Sequence, residues 1–193
     1  FDLRCLSQEL IPHVPLFGQA LLGMDTETKT YVQLAQEIGK NTGGIKIDTI
    51  SKQHYASSDP VTWMFIRGKS LTVRSQLLID LISDVCLRTR FNDKERFRQL
   101  VLQHKSELES NLSPSGHLMV YRRLRANTGE AGRVDELMNG FEQLLFVRKI
   151  LSDIDGEWEK ILHSLEQIRR ELIREGHVVV NVGEVDIDIA IRR

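Results

Sequence analysis

The sequence predicts an α+β domain in which one β-sheet is covered by several α-helices. Three observations carry that expectation. Short strand-like runs stand near both ends of the chain, with helical periodicity between them. Val61 to Gly68 alternates as a strand with apolar residues on both faces, as in a strand placed centrally under helices. Trp158, Ile161, Leu162, Leu165, Ile168 and Leu172 recur at helical spacing, the stripe of an amphipathic helix.

Taken in order, Phe1 to Cys5 alternates and reads as a strand with Phe1, Leu3 and Cys5 on one face. Ile11, Val14, Leu16, Phe17, Leu21 and Leu22 make an apolar face wide enough for a buried helix. Tyr31, Val32, Leu34, Ala35 and Ile38 form a second helix. Gly39, Asn41, Gly43 and Gly44 end it, because glycine and asparagine tolerate a left-handed helix cap. Lys46 to Gln53 is a strand, and His54 to Pro60 is a loop with an Asp-Pro turn signal. In the next strand Val61, Trp63, Phe65 and Arg67 share one face, and Thr62, Met64 and Ile66 share the other.

From Ser70 the pattern turns helical. Leu77, Leu78, Leu81, Ile82 and Val85 form one stripe; Phe97, Leu100, Val101 and Leu108 form the next. Asn92 offers the second of these an N-cap, with Glu95 three residues on. A break at 111–116 contains Pro114. His117 to Ala126 is a basic helix, Asn127 to Arg133 a glycine-containing loop, and Leu137 to Leu151 a helix apolar enough to pack. The last long helix starts near Asp155, carries Trp158 into the core and ends at Gly176. Val178 to Val182 reads as a short buried strand. The tail from Val185 to Ile191 alternates like a strand.

Composition bounds the function. The 193 residues are 41% hydrophobic and 27% charged, with a formal net charge of −1. That is ordinary for a soluble globular domain, and a chain of this size buries roughly 70% of its unfolded surface. No basic excess points to nucleic acid. No apolar run approaches the roughly 20 residues of a membrane span. Cys5 and Cys86 read as free thiols or as a single disulfide. The start at Phe1, within an apparent strand, suggests a fragment of a longer polypeptide.

An ordered series of motifs resembles a known family. VPLFGQALLGM is followed by YVQLAQEIGKNTGGI, then Ile66-Arg67-Gly68-Lys69-Ser70 and Arg96-Phe97. Leu112, Ser115-Gly116-His117, Trp158 and Leu165-Glu166 with Ile168-Arg169 continue it. Together they resemble the third of four domains in presequence-protease-type enzymes, members of the insulinase-like (pitrilysin) zinc metallopeptidases. The resemblance spans nearly all of residues 1–193 and implies one non-catalytic domain with a mainly antiparallel sheet. It further implies one wall of a closed chamber for short unstructured peptides. The implied partners are the other domains of the same polypeptide and peptide substrates, not nucleic acid or membrane. The implied compartment is intracellular, either a bacterial cytoplasm or a mitochondrion or plastid. Core subunits of respiratory complexes resemble the same fold, so a structural or binding domain without peptidase activity is the alternative. An H-x-x-E-H motif upstream of Phe1 would separate the two.

In that motif two histidines on one helix face hold zinc, and the glutamate takes a proton from the bound water. The counterpart here is His13-Val14-Pro15-Leu16-Phe17. Leu16 stands at the glutamate position and Phe17 at the second histidine. Leucine accepts no proton and phenylalanine ligates no metal, so His13 reads as structural. His104-x-x-Glu107 and His163-x-x-Glu166 lack the second histidine as well. The expectation is therefore no catalytic and no metal-ligating residue in this chain, zinc being held by the catalytic domain of the parent. Gly68-Lys69-Ser70 looks like the end of a phosphate-binding loop, but Trp63 stands where its first glycine is required. Nucleotide binding is rejected on that ground. Arg122, Arg123 and Arg125 are the one candidate for substrate binding, either as an acidic-partner surface or as a plain solvated helix face.

Overall fold

The computed structural model describes residues 1–56, 60–174 and 178–183. The described chain is an α+β domain. Helix α1 (Val14–Gly23) and helix α2 (Tyr31–Asn41) lead into strands β1 (Ile45–Gln53) and β2 (Pro60–Gly68). Six further helices follow among the described residues: α3 (Ser75–Arg88), α4 (Lys94–Leu112), α5 (Gly116–Arg125), α6 (Glu130–Asn139), α7 (Phe141–Asp153) and α8 (Trp158–Leu172).

The two strands pair antiparallel from Ile45 opposite Gly68 to Gln53 opposite Pro60. Side chains alternate across the pleat. Thr62 and Met64 are buried, and Ser51 and Thr62 hydrogen-bond across the ladder at 3.1 Å. Trp63 and Phe65 stack on the other face, half-buried, with centroids 6.3 Å apart. Helix α6 lies across both strands.

The second edge of β2 meets the start of the chain. Asp2 forms an antiparallel bridge with Trp63, and the Met64 N–H donates to the Phe1 carbonyl at 2.9 Å. The strand expected over Phe1–Cys5 goes no further. The Asp2 carboxylate accepts the Arg4 N–H at 3.0 Å and turns Leu3–Cys5 into a 3-10 turn. A side chain that bonds nearby backbone competes with a sheet ladder. The turn sends Leu3 fully into the core.

Helix α1 follows a 3-10 turn at Ile11–His13, with Pro12 and Pro15 at the starts of the two segments, where no N–H is needed. Val14, Leu16, Phe17, Gly18, Ala20 and Leu21 are all buried, so it runs through the core as its composition requires. Helix α2 is a surface helix that buries only Leu34. Its start is a capping box. Thr30 Oγ1 accepts the Gln33 N–H at 3.3 Å, and Gln33 Oε1 accepts the Thr30 N–H at 3.0 Å. Gly44 follows at φ 104°, a conformation costly for any residue with a Cβ.

Several local expectations are corrected. Asp93, not Asn92, caps α4 by accepting the Arg96 N–H at 2.9 Å, so no box forms with Glu95. The expected loop at 127–133 is half helix, since α6 begins at Glu130; Ala131, Val134, Leu137 and Met138 carry its period. Trp158 is half-buried against Phe97, with centroids 5.6 Å apart, rather than enclosed. Helix α8 stops at Leu172, before Gly176. Val178, Val179, Val180 and Val182 lie in no strand and are 37–78% exposed. A strand needs a neighbour to complete its ladder, and no described strand lies beside this run. Residues 57–59 of the expected loop and the whole of Val185–Ile191 fall outside the described residues. Cys5 and Cys86 are both free thiols, and burial pushes Cys86 up to about 11.

Candidate functional site

The counterpart of a metal-binding helix face is α1 and the turn before it. Leu16 is 2% and Phe17 0% exposed. Phe17 packs against Phe91 with centroids 5.6 Å apart. The two positions that would supply a proton acceptor and a second ligand are thus core side chains. His13 sits edge-on to Phe146 at 4.7 Å, and its Nδ1 is buried without a hydrogen bond among the described residues.

The two other histidine fragments diverge. His104 Nδ1 bonds the Gln19 amide of α1 at 2.7 Å, while Glu107 stands 4.0 Å away. His163 shares a cavity of about 470 Å³ with His13, Glu9 and Glu159. His13 and His163 are too far apart in the chain for any local motif to show that meeting. Among the described residues, no group of three or more His, Cys, Asp or Glu is placed to hold a metal ion.

Burial lowers the pKa of both His13 and His104 below the ordinary 6.5. The folded chain therefore binds fewer protons than the unfolded chain below that value. The stability from keeping these rings neutral is present above about 6.5 and is lost as pH falls below it, toward the folded-state pKa. Urea midpoints should fall between about pH 7 and 5.5, above the carboxylate range. His104→Leu should flatten that slope; an unchanged slope would assign it to other groups.

Asp84 joins the α1–α2 loop to α3. Burial on its own raises this carboxyl, but hydroxyl bonds from Thr28 at 2.8 Å and Thr26 at 3.1 Å outweigh it. With Lys29 at 3.5 Å, they hold the group below its usual value.

The three arginines are brought together on α5, and each is paired. Arg122 and Arg125 reach Asp135 of α6 at 3.8 and 3.5 Å. Arg123 bonds Glu142 of α7 and lies 3.6 Å from the buried Glu136. Glu136 Oε1 also accepts the Phe141 N–H at 3.1 Å, which caps α7. The arginines therefore fasten α5 to its neighbours. Exposed pairs of this kind contribute about 0.2–1 kcal/mol each.

A second basic group was not legible in the sequence. Lys40, Lys69 and Arg74 come from three separate segments and line one cavity of about 350 Å³.

Comparison with known proteins places this domain in the class of peptidase-associated domains. Residues 1–150 match the model of the family described as associated with peptidases of metallopeptidase family 16, subfamily C, and the chain belongs to that family. Over 182 residues, 94% of this chain, it is 37% identical to presequence protease 1, chloroplastic/mitochondrial, of Arabidopsis thaliana. It is 28% identical over 172 residues, 89% of the chain, to the mitochondrial presequence protease of Danio rerio. It is 24% identical over 184 residues, 94% of the chain, to Protein HypA of Clostridium perfringens. The matched part spans only 17–18% of the length of these relatives. No helix among the described residues is long and apolar enough to cross a membrane.

Proposed function

We propose that this chain is a non-catalytic domain of a zinc metalloendopeptidase that degrades short unstructured peptides. In this reading it forms part of the wall of a closed peptide chamber, and its partners are the other domains of the polypeptide and the enclosed peptide. Zinc belongs to the catalytic domain of the parent, which works in a bacterial cytoplasm or in a mitochondrion or plastid. The observation that supports this most is the conjunction of the family match with α1, where Leu16 and Phe17 are core residues at the positions of base and ligand. Enclosure excludes bulk water and orients substrate without a catalytic side chain in the wall. The arginines of α5 could add electrostatic attraction for peptides only through charge left over from their ion pairs.

The test compares the full parent polypeptide, the parent lacking this domain, and the isolated 193-residue chain on a short unstructured fluorogenic peptide. The isolated chain should hydrolyse nothing and retain no zinc after dialysis. The truncated parent should keep its zinc but lose most peptide turnover. Hydrolysis by the isolated chain would overturn the non-catalytic assignment. Full turnover by the truncated parent would overturn the chamber role.

A further inference from the structure

We propose that the cavity between the end of α2 and the segment after β2 binds a compact oxyanion, a carboxylate or a phosphate group, through Lys40, Lys69 and Arg74. These three cations converge on one concavity of about 350 Å³ whose lining holds no aspartate or glutamate among the described residues. None of them makes an ion pair among the described residues, whereas Lys29, Arg67, Lys105 and Arg148 each do.

Each cation is placed by a different constraint. Arg74 Nη1 donates to the Lys40 carbonyl at 2.9 Å and to Asn41 Oδ1 at 3.2 Å, which fixes the guanidinium at the carboxyl end of α2. That helix end carries about half a negative charge, and Arg74 answers it. Lys40 and Lys69 remain as surplus.

Lys69 comes from beyond β2. The Gly43 N–H donates to its carbonyl at 2.7 Å. Its stem crosses Gly43 so closely that a Cβ there would meet Cγ and Cε at 2.7 Å. The missing side chain at Gly43 is what lets the lysine lie across the turn and reach the cavity. Ser70 and the Asn41 amide add neutral donors on the same lining. A cluster of cations with no counter-charge around a concave site raises the local concentration of anions, and fixed N–H donors recognise carboxylate and phosphate oxygens. This is the Gly68-Lys69-Ser70 run, here without a nucleotide loop. The proposal rests on charge and geometry and stands independently of the peptidase reading.

The test is an amide NMR titration of the 193-residue chain at constant ionic strength. The probes are inorganic phosphate, a short peptide with a free C-terminal carboxylate, and the same peptide as its C-terminal amide. The Gly43, Gly44 and Ser70 amides should shift saturably in the millimolar range. A response to phosphate alone assigns the site to free phosphate. A response to the carboxylate peptide but not the amide assigns it to peptide termini. Lys40→Gln and Lys69→Gln should each weaken binding about two- to fivefold, and together by the product. Both replace exposed side chains, and a retained spectrum elsewhere reports the fold. Shifts that never saturate, that are equal for carboxylate and amide peptides, or that survive the double substitution would overturn the proposal.

Discussion

Phe17→Ala is expected to cost about 3–5 kcal/mol of stability, the range for deleting a buried aromatic side chain. Phe17 is fully enclosed in α1, packs against Phe91, and belongs to the same core as Leu16, Leu21 and Met64. Removing its ring leaves a void that a close-packed interior fills only in part. The urea midpoint should fall while the slope stays constant, because the same surface is exposed on unfolding. Phe17→His addresses function at the same site. It restores a ligand atom at the position of the second histidine, but Leu16 still supplies no base, and the imidazole is buried among apolar groups. It should destabilise the chain and create no tight zinc site. A loss below about 1 kcal/mol for Phe17→Ala would show that α1 is not the centre of this core. Stoichiometric zinc in Phe17→His would show that only one ligand separates this helix from a metal site.

Gly132→Ala sets two effects against each other. Alanine is the better helix former by about 1 kcal/mol, and position 132 lies inside α6. Yet a Cβ there would stand 2.1 Å from the Arg125 carbonyl oxygen and 2.6 Å from its carbon. Both are backbone atoms, so neither can swing aside. Helix α6 would have to retreat from the end of α5, and α6 is the helix that covers β1 and β2. Overpacking of this kind costs about 1–3 kcal/mol, and the absence of a yielding side chain puts this site at the upper end. The net expectation is a loss of about 2 kcal/mol. Gly39→Ala is the internal control. It also lies within a helix, with nothing within 4 Å of the added Cβ, and it should be neutral or stabilising by up to about 1 kcal/mol. If both substitutions stabilise, the contact between α5 and α6 is looser than the structure shows.

The sequence by itself determined whatever depends on neighbours within a few residues. The apolar surround of α1, the stripes of α4 and α8, the alternation of β2 and the turn at Gly44 are all local patterns, and all were legible. So was the family, because its motifs are spread in order along the chain. The tertiary structure alone decided what depends on a distant partner. Val178 to Val182 has the residues of a buried strand, but a strand forms only where another offers its unpaired N–H and C=O groups. Arg122, Arg123 and Arg125 look like a solvated or substrate-facing cluster until Asp135, Glu136 and Glu142 are folded against them. Lys40, Lys69 and Arg74 show no pattern at all until the end of α2 meets the segment after β2. Periodicity and capping report the local backbone. The charge and burial around a side chain are set by residues that the chain brings in from far along its length.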